Sequence, residues 1–287
     1  MTKSTFKKFS RGGVADPLRI QPRDIALLRD MWEFRFLNTE QILALHDGSR
    51  RNLKASLNLL FQHGYLDRPV VQKTARLATS HIVYSLGRKS AEVLASNAEE
   101  REGILRRVRE VEKSLVPIIG HSLMISQFRV CLTLALRKKG SRITRWLQGQ
   151  DLKEVLSYRG ANPPLVPDAY FKIEDEGDTI NFFLEADRAT MTTERFVRKL
   201  KIYWSWREDK TLQEKLRLTH YRVLTITPSE GRSESLRAAG KDGDPRGSGS
   251  LMYLFAPETR YNIGTPDAVL QAVWKSPKDD TPHSILE

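Results

Sequence analysis

Two apolar segments that each run up to a carboxylate, with a basic, aromatic helix close behind them, limit this fold more than any other feature. The first segment, 165–173, contains Pro167 and Asp168, and the second, 179–186, ends at Glu185 with Asp187 and Arg188 just beyond. Both read as strands. The helix that follows, 193–206, carries Arg195, Arg198, Lys199 and Lys201 together with Tyr203, Trp204 and Trp206. Strand, strand, helix in that order demands a layered α and β architecture. It also lets Asp168, Glu185 and Asp187 converge at one sheet edge, where hard oxygen ligands could take a divalent metal.

Charge divides the chain in two. Residues 1–160 hold 29 Lys+Arg against 15 Asp+Glu, whereas residues 161–287 hold 18 against 20. The basic half is the electrostatic footprint expected of a protein that meets a polyanion, and double-stranded DNA is the expected partner. The near-neutral half suits an acidic metal-binding core better than a second DNA grip. A single cysteine, Cys131, in an apolar helical stretch, excludes an internal disulfide and a cysteine zinc cluster and reads as a buried core thiol. No apolar run is expected to span a membrane, and the basic first residues lead into no signal-peptide core, so a cytoplasmic location without membrane partners is expected.

The basic half has a legible order. Residues 1–21 read as a flexible basic arm. Pro22 opens a helix over 22–36 with Ile25, Leu28, Trp32 and Phe36 at helical spacing. A short helix over 40–46 follows, then the Asp47-Gly48 turn. Ser49 caps a third helix over 50–63 with Leu53, Leu57 and Leu60 inward, and Gly64 stops it. Strands over 65–71 and 81–86 flank a basic tip containing Lys73 and Arg76. Three helices and a hairpin give the winged helix-turn-helix plan over 22–98. Its recognition helix begins Ser49, Arg50, Arg51, Asn52 and adds Lys54, while Lys73 and Arg76 extend from the wing. A linker helix over 99–117 turns Ile104, Val108, Val111 and Leu115 to one side, either to pack on its own domain or to pair with a second copy in a homodimer.

Residues 118–275 are expected to form the second, mixed α/β domain. It has a helix over 121–139, strands over 142–147, 165–173, 179–186, 220–227 and 251–255, and helices over 193–206, 230–239 and 265–274. Residues 240–250 read as a flexible loop and 276–287 as a disordered polar tail.

This arrangement resembles the PD-(D/E)xK (restriction-endonuclease-like) fold, with Asp168 matching its first motif and Glu185 its second. More closely, the chain resembles the replication-relaxation family of plasmid and mobile-element proteins, over about 22 to 227. The matching residues are the 50–60 helix with Gly64-Tyr65-Leu66, the 83–87 segment, His121, Asp168, Glu185 through Arg188, and Lys199 with Tyr203. The resemblance implies plasmid replication, relaxation or mobilisation, with other proteins of that machinery as partners. It also implies a relaxase-like endonuclease site that nicks DNA with Mg2+ or Mn2+ held by Asp168 and Glu185. Where that pattern has a lysine, this chain has Asp187, so Lys199 on the next helix, or Lys172, would supply the ammonium and Asp187 would assist. A fold kept as a scaffold, in a non-catalytic DNA-binding accessory or regulator, is the other expectation; there the same carboxylates pair with Arg188, Arg195 or Lys199. His121 reads as a capping or packing residue.

Overall fold

In the computed structural model the chain is described over residues 8–12, 17–73, 81–113, 116–158 and 161–287, and it divides into two compact units, Met1–Ser126 and Gln127–Glu287. It is a mixed α+β protein.

The first unit starts with helix α1 (Pro22–Phe34), where Pro22 stands at the first helical position and Gln21 and Asp24 form a capping box. A short strand β1 (Leu37–Asn38) leads into α2 (Thr39–Leu45), capped by the Asn38 side chain on Gln41 N–H at 3.0 Å. Helix α3 (Arg50–Gln62) buries Leu53, Leu57, Leu60 and Phe61. Strands β2 (Leu66–Asp67) and β3 (Val83–Leu86) pair antiparallel, and β1 joins the other edge of β3. Gly87 makes the α3 exit possible, because a Cβ there would lie 2.3 Å from the Gly64 carbonyl oxygen. Helices α4 (Ala91–Leu94) and α5 (Ala98–Glu112) follow. The stripe Ile104, Val108 and Val111 turns inward, and Arg107 caps the Trp32 ring at 4.0 Å, so α5 packs within its own unit. Leu115 and Arg76 lie outside the described residues, as does the side chain of Lys73. Part of the expected flexible arm is docked: Arg11 donates to the Phe61 carbonyl at 2.9 Å and Gly12 N–H to Gln62 at 2.7 Å.

Helix α6 (Val116–Lys139) contributes its first half to the first unit and its second half to the second. Its stretch Pro117–Lys139 is long and apolar enough to cross a membrane, contrary to the sequence expectation. Packing accounts for that apolarity, since Phe128, Val130, Cys131 and Leu132 are fully buried.

The second unit is a seven-stranded sheet between two helical layers. Its elements are β4 (Arg142–Leu147), α7 (Gly149–Leu156), β5 (Ala169–Asp175), β6 (Asp178–Ala186), α8 (Thr193–Ser205), α9 (Lys210–Leu216), β7 (Tyr221–Thr227), α10 (Glu230–Ala239), β8 (Tyr253–Pro257), β9 (Trp274–Lys275) and β10 (Pro282–His283). β6, β7 and β8 run parallel in the centre, linked through α8, α9 and α10, and the flanking strands are antiparallel. Phe182 and Phe183 are both fully buried, so β6 is covered on two faces. On one face Phe128 of α6 meets Phe171, Tyr261 and Trp274. On the other, Tyr170, Phe183 and Val223 pack with Phe196, Leu200 and Tyr203 of α8.

Three expectations change here. The segment read as a helix over 265–274 is a short 3-10 turn, Pro266–Leu270, followed by β9, where Trp274 is buried and donates to the Val269 carbonyl at 2.9 Å. Residues 276–287 are ordered, because β10 pairs with β9 and Ile285 is fully buried. Residues 240–250 are organised around buried Asp244, which accepts from Arg246 and Ser248.

Candidate functional site: a buried acid pair and its lysine

A two-residue turn sets the site's geometry. Glu176 and Gly177 join β5 to β6 with φ of 53° and 94°, the left-handed pair that matches the twist of a tight hairpin. The register this fixes places Ala169 opposite Leu184, and Asp168 N–H extends the ladder to the Leu184 carbonyl at 3.1 Å. Asp168 therefore lies level with Glu185. Like charges facing each other across antiparallel strands destabilise a sheet, so something must answer this pair.

Helix α8 answers it. Thr192 caps the helix, its hydroxyl accepting from Arg195 N–H at 3.4 Å. Lys199 and Tyr203 are four residues apart and share one face. Lys199 Nζ meets Glu185 Oε2 at 2.5 Å, and the Tyr203 hydroxyl donates to Glu185 Oε1 at 2.7 Å. Asp168 Oδ2 accepts from Ala186 N–H at 2.8 Å. Glu185 is 3% exposed. Burial first, then the charge of Asp168, pushes its carboxyl up to about 7, while Lys199 and Tyr203 pull it back. Burial works against the Lys199 charge, but Glu185, Asp168 and Asp187 outweigh it and hold the ammonium above its usual range. Burial and the Glu185 charge push the Tyr203 phenol well above its usual range, which keeps it a donor.

Asp187 occupies a different setting. Arg232 of α10 grips it bidentately, with Nε on Oδ1 at 2.8 Å and Nη2 on Oδ2 at 2.9 Å. Asp187 Oδ1 also accepts from Ala189 N–H at 2.7 Å, and Arg232 Nη2 reaches the Met191 carbonyl at 2.6 Å. This fork ties down the loop that enters α8. Lys172 lies away from the acids; its near charges are Arg145 and Arg217. Trp206 and Tyr203 are buried core rings, whereas Trp204 is half-buried beneath Arg207 at 4.5 Å. His121 is half-buried in α6 in the other compact unit.

Among the described residues no group of three or more His, Cys, Asp or Glu side chains comes together as a metal cage. The side chains that could hold a hard cation are Asp168 and Glu185, two carboxylates level with each other across β5 and β6. Mg2+ commonly takes one or two carboxylates with water and substrate phosphate as the remaining ligands. Lys199 and Tyr203 engage both Glu185 oxygens, so a cation bound there would have to displace Lys199.

On α3, Arg50, Arg51, Asn52 and Lys54 are exposed, and Ser49 is at the N-cap without a side-chain cap bond. Arg50 is ion-paired with Glu40, and Lys54 Nζ lies 3.9 Å from the same carboxylate. Hydrogen bonding from Arg50 holds the Glu40 carboxyl below its usual range. Arg51 is exposed and enters no ion pair among the described residues.

The two units and the buried acid–lysine cluster define a mixed α+β protein with a charged site at the end of a central strand. The replication-relaxation family model matches residues 28–218, a span that contains Asp168, Glu185, Asp187 and Lys199. The chain belongs to the replication-relaxation family, and that membership points to a DNA-related role in plasmid replication or mobilisation. No curated protein and no solved structure matches it.

Sequence reasoning missed Arg232, which stands 45 residues from its partner. It also missed Tyr203 as the second partner of Glu185. The signal available was its position one helical turn beyond Lys199.

Proposed function

We propose that this is a DNA-processing protein of a plasmid or mobile element. The first unit acts as a winged helix-turn-helix that holds duplex DNA through α3. The second acts as a PD-(D/E)xK-like site for metal-dependent strand nicking. The observation that carries this reading is the contact of Lys199 with Glu185 at 2.5 Å. It supplies from α8 the ammonium that the strand lacks at Asp187. Asp168 and Glu185 would hold Mg2+ or Mn2+, which would polarise the phosphate and activate a water. Lys199, released from Glu185, stabilises charge on the phosphate oxygens. Tyr203 orients Glu185, and Asp187 with Arg232 positions α8 without touching the reacting atoms.

A second reading, a non-catalytic DNA-binding accessory or regulator, rests on the closure of both Glu185 oxygens by Lys199 and Tyr203. The experiment that separates the two is conversion of supercoiled DNA, carrying the chain's own gene and flanking sequence, to open circles. The first reading expects conversion with Mg2+ or Mn2+ and none with EDTA. An intact substrate under all three conditions supports the second.

Both readings expect α3 to grip DNA. Arg51→Ala should weaken duplex binding and lower the salt slope by about 1. Arg50→Ala should cost less, because Arg50 is already engaged by Glu40. Titrations by fluorescence anisotropy over a salt series would show this, and unchanged affinity in both variants would remove α3 from the interface.

A further inference from the structure

The acid pair has a basic counterpart that no carboxylate answers among the described residues. Arg142 of β4 lies opposite Glu174 of β5 and pairs with it at 2.9 Å; Ile143 lies opposite Ile173. The register then slips, and Arg145 falls opposite Lys172. Had Thr144 paired in regular register with Lys172, Arg145 would face Phe171 and its side chain would point to the other side of the sheet. The bulge thus sets two cations against each other, an arrangement that costs stability on antiparallel strands.

A third cation joins them. The Tyr170 hydroxyl, on the same face of β5 as Lys172, reaches Asn181 Oδ1 at 2.9 Å and the Leu216 carbonyl at 3.3 Å. That contact fastens the end of α9 to this face, and Arg217 follows in the left-handed conformation with φ 52°. Among the described residues, the side chains of Arg145, Lys172 and Arg217 make no hydrogen bond or ion pair. Burial first, then Arg145 and Arg217, lowers the Lys172 pKa. Lys172 and Arg217 fall in residues 161–287, which hold 18 Lys+Arg against 20 Asp+Glu, so these two do not belong to a generally basic stretch of the chain.

We propose that Arg145, Lys172 and Arg217 bind the phosphate backbone of the DNA on which the Asp168–Glu185–Lys199 cluster acts, an inference that rests on the nicking reading. Arg145 and Lys172 are half-buried and Arg217 is exposed, so the cluster opens to solvent. An open row of cations suits successive phosphates of a backbone better than one enclosed anion. Lys172 and Asp168 share a face of the β5 segment at a separation of four residues, about 13 Å at the rise of a strand. That span corresponds to about four base pairs of duplex. Backbone held at the cations would keep a neighbouring phosphodiester over the acid pair.

The test uses the full chain and the variant Arg145→Gln/Lys172→Gln/Arg217→Gln, with Arg217→Gln alone as a second variant. Binding to a short fluorescein-labelled duplex is followed by anisotropy over a salt series, and nicking of the supercoiled substrate is measured in the same preparations. The triple variant is expected to lower the salt slope by about 2 to 3, and Arg217→Gln alone by about 1. Nicking by the triple variant should fall at least tenfold at moderate salt. Its melting temperature should equal or exceed that of the wild type, because repulsion has been removed. If the wild type nicks and the triple variant keeps both its slope and its rate, the backbone site is overturned. If the wild type does not nick at all, the cleavage reading falls, and a reduced slope would still mark the cluster as a phosphate contact.

Discussion

Lys199→Met is expected to lower metal-dependent nicking by about a hundred- to a thousandfold, the usual effect of removing one group that stabilises developing charge. It should also leave a signature in stability that a purely catalytic lysine would not. Removing the ammonium leaves Glu185 buried beside Asp168 with only Tyr203 to support its charge. The folded-state pKa of Glu185, already raised, rises further. A carboxyl with a raised folded pKa contributes stability below its unfolded value, about 4.3, and loses it as pH rises through the folded value. The deficit of Lys199→Met relative to wild type should therefore be small near pH 4 and grow toward pH 8. There it should approach about 3 kcal/mol, as for other broken buried pairs. Urea denaturation at a series of pH values measures this. A deficit independent of pH would show that Lys199 does not answer Glu185 in solution.

Asp187→Ala is expected to destabilise the second unit by about 3 kcal/mol. The Asp187 and Arg232 side chains are 3% and 16% exposed, so losing the carboxylate strands a guanidinium that water reaches poorly. The Ala189 N–H loses its acceptor as well. Asp187→Asn should cost less, because the amide oxygen can still accept from Ala189. Nicking should decline in step with the loosened α8 rather than disappear, since Asp187 acts through position. An unfolding free energy from guanidinium chloride titration within about 0.5 kcal/mol of wild type, the range of ordinary surface substitutions, would contradict this role.

The contrast between these two carboxylates shows what the sequence can carry. Glu185 and Lys199 were readable because the β6 strand and the α8 helix are strongly patterned and adjacent in the chain. The hairpin register that faces Asp168 with Glu185 needed only a two-residue turn. Asp187 differs because Arg232 arrives on α10, after a helix pair and a strand, and no local pattern announces it. The bulge at Thr144 is equally silent, so Lys172 looked like a spare catalytic lysine instead of one of three facing cations. At the C-terminal end composition misled. A polar tail docks through the β10–β9 pairing and buried Ile285, with Arg222 donating to the Ile285 carbonyl at 2.9 Å. Short α7 and α9 also went unread, since amphipathic helices of seven or eight residues give little periodicity to detect.

The nuclease-like reading stands or falls with chemistry at one pair of carboxylates. The most direct measurement is the rate at which wild type, Asp168→Ala and Glu185→Ala convert supercoiled DNA, carrying the chain's own gene and flanks, to open circles in Mg2+ or Mn2+. The account predicts metal-dependent circles from the wild type and none above background from either variant, with all three proteins still binding the duplex through α3. Equal conversion by wild type and both variants, or none by any of them, would contradict it.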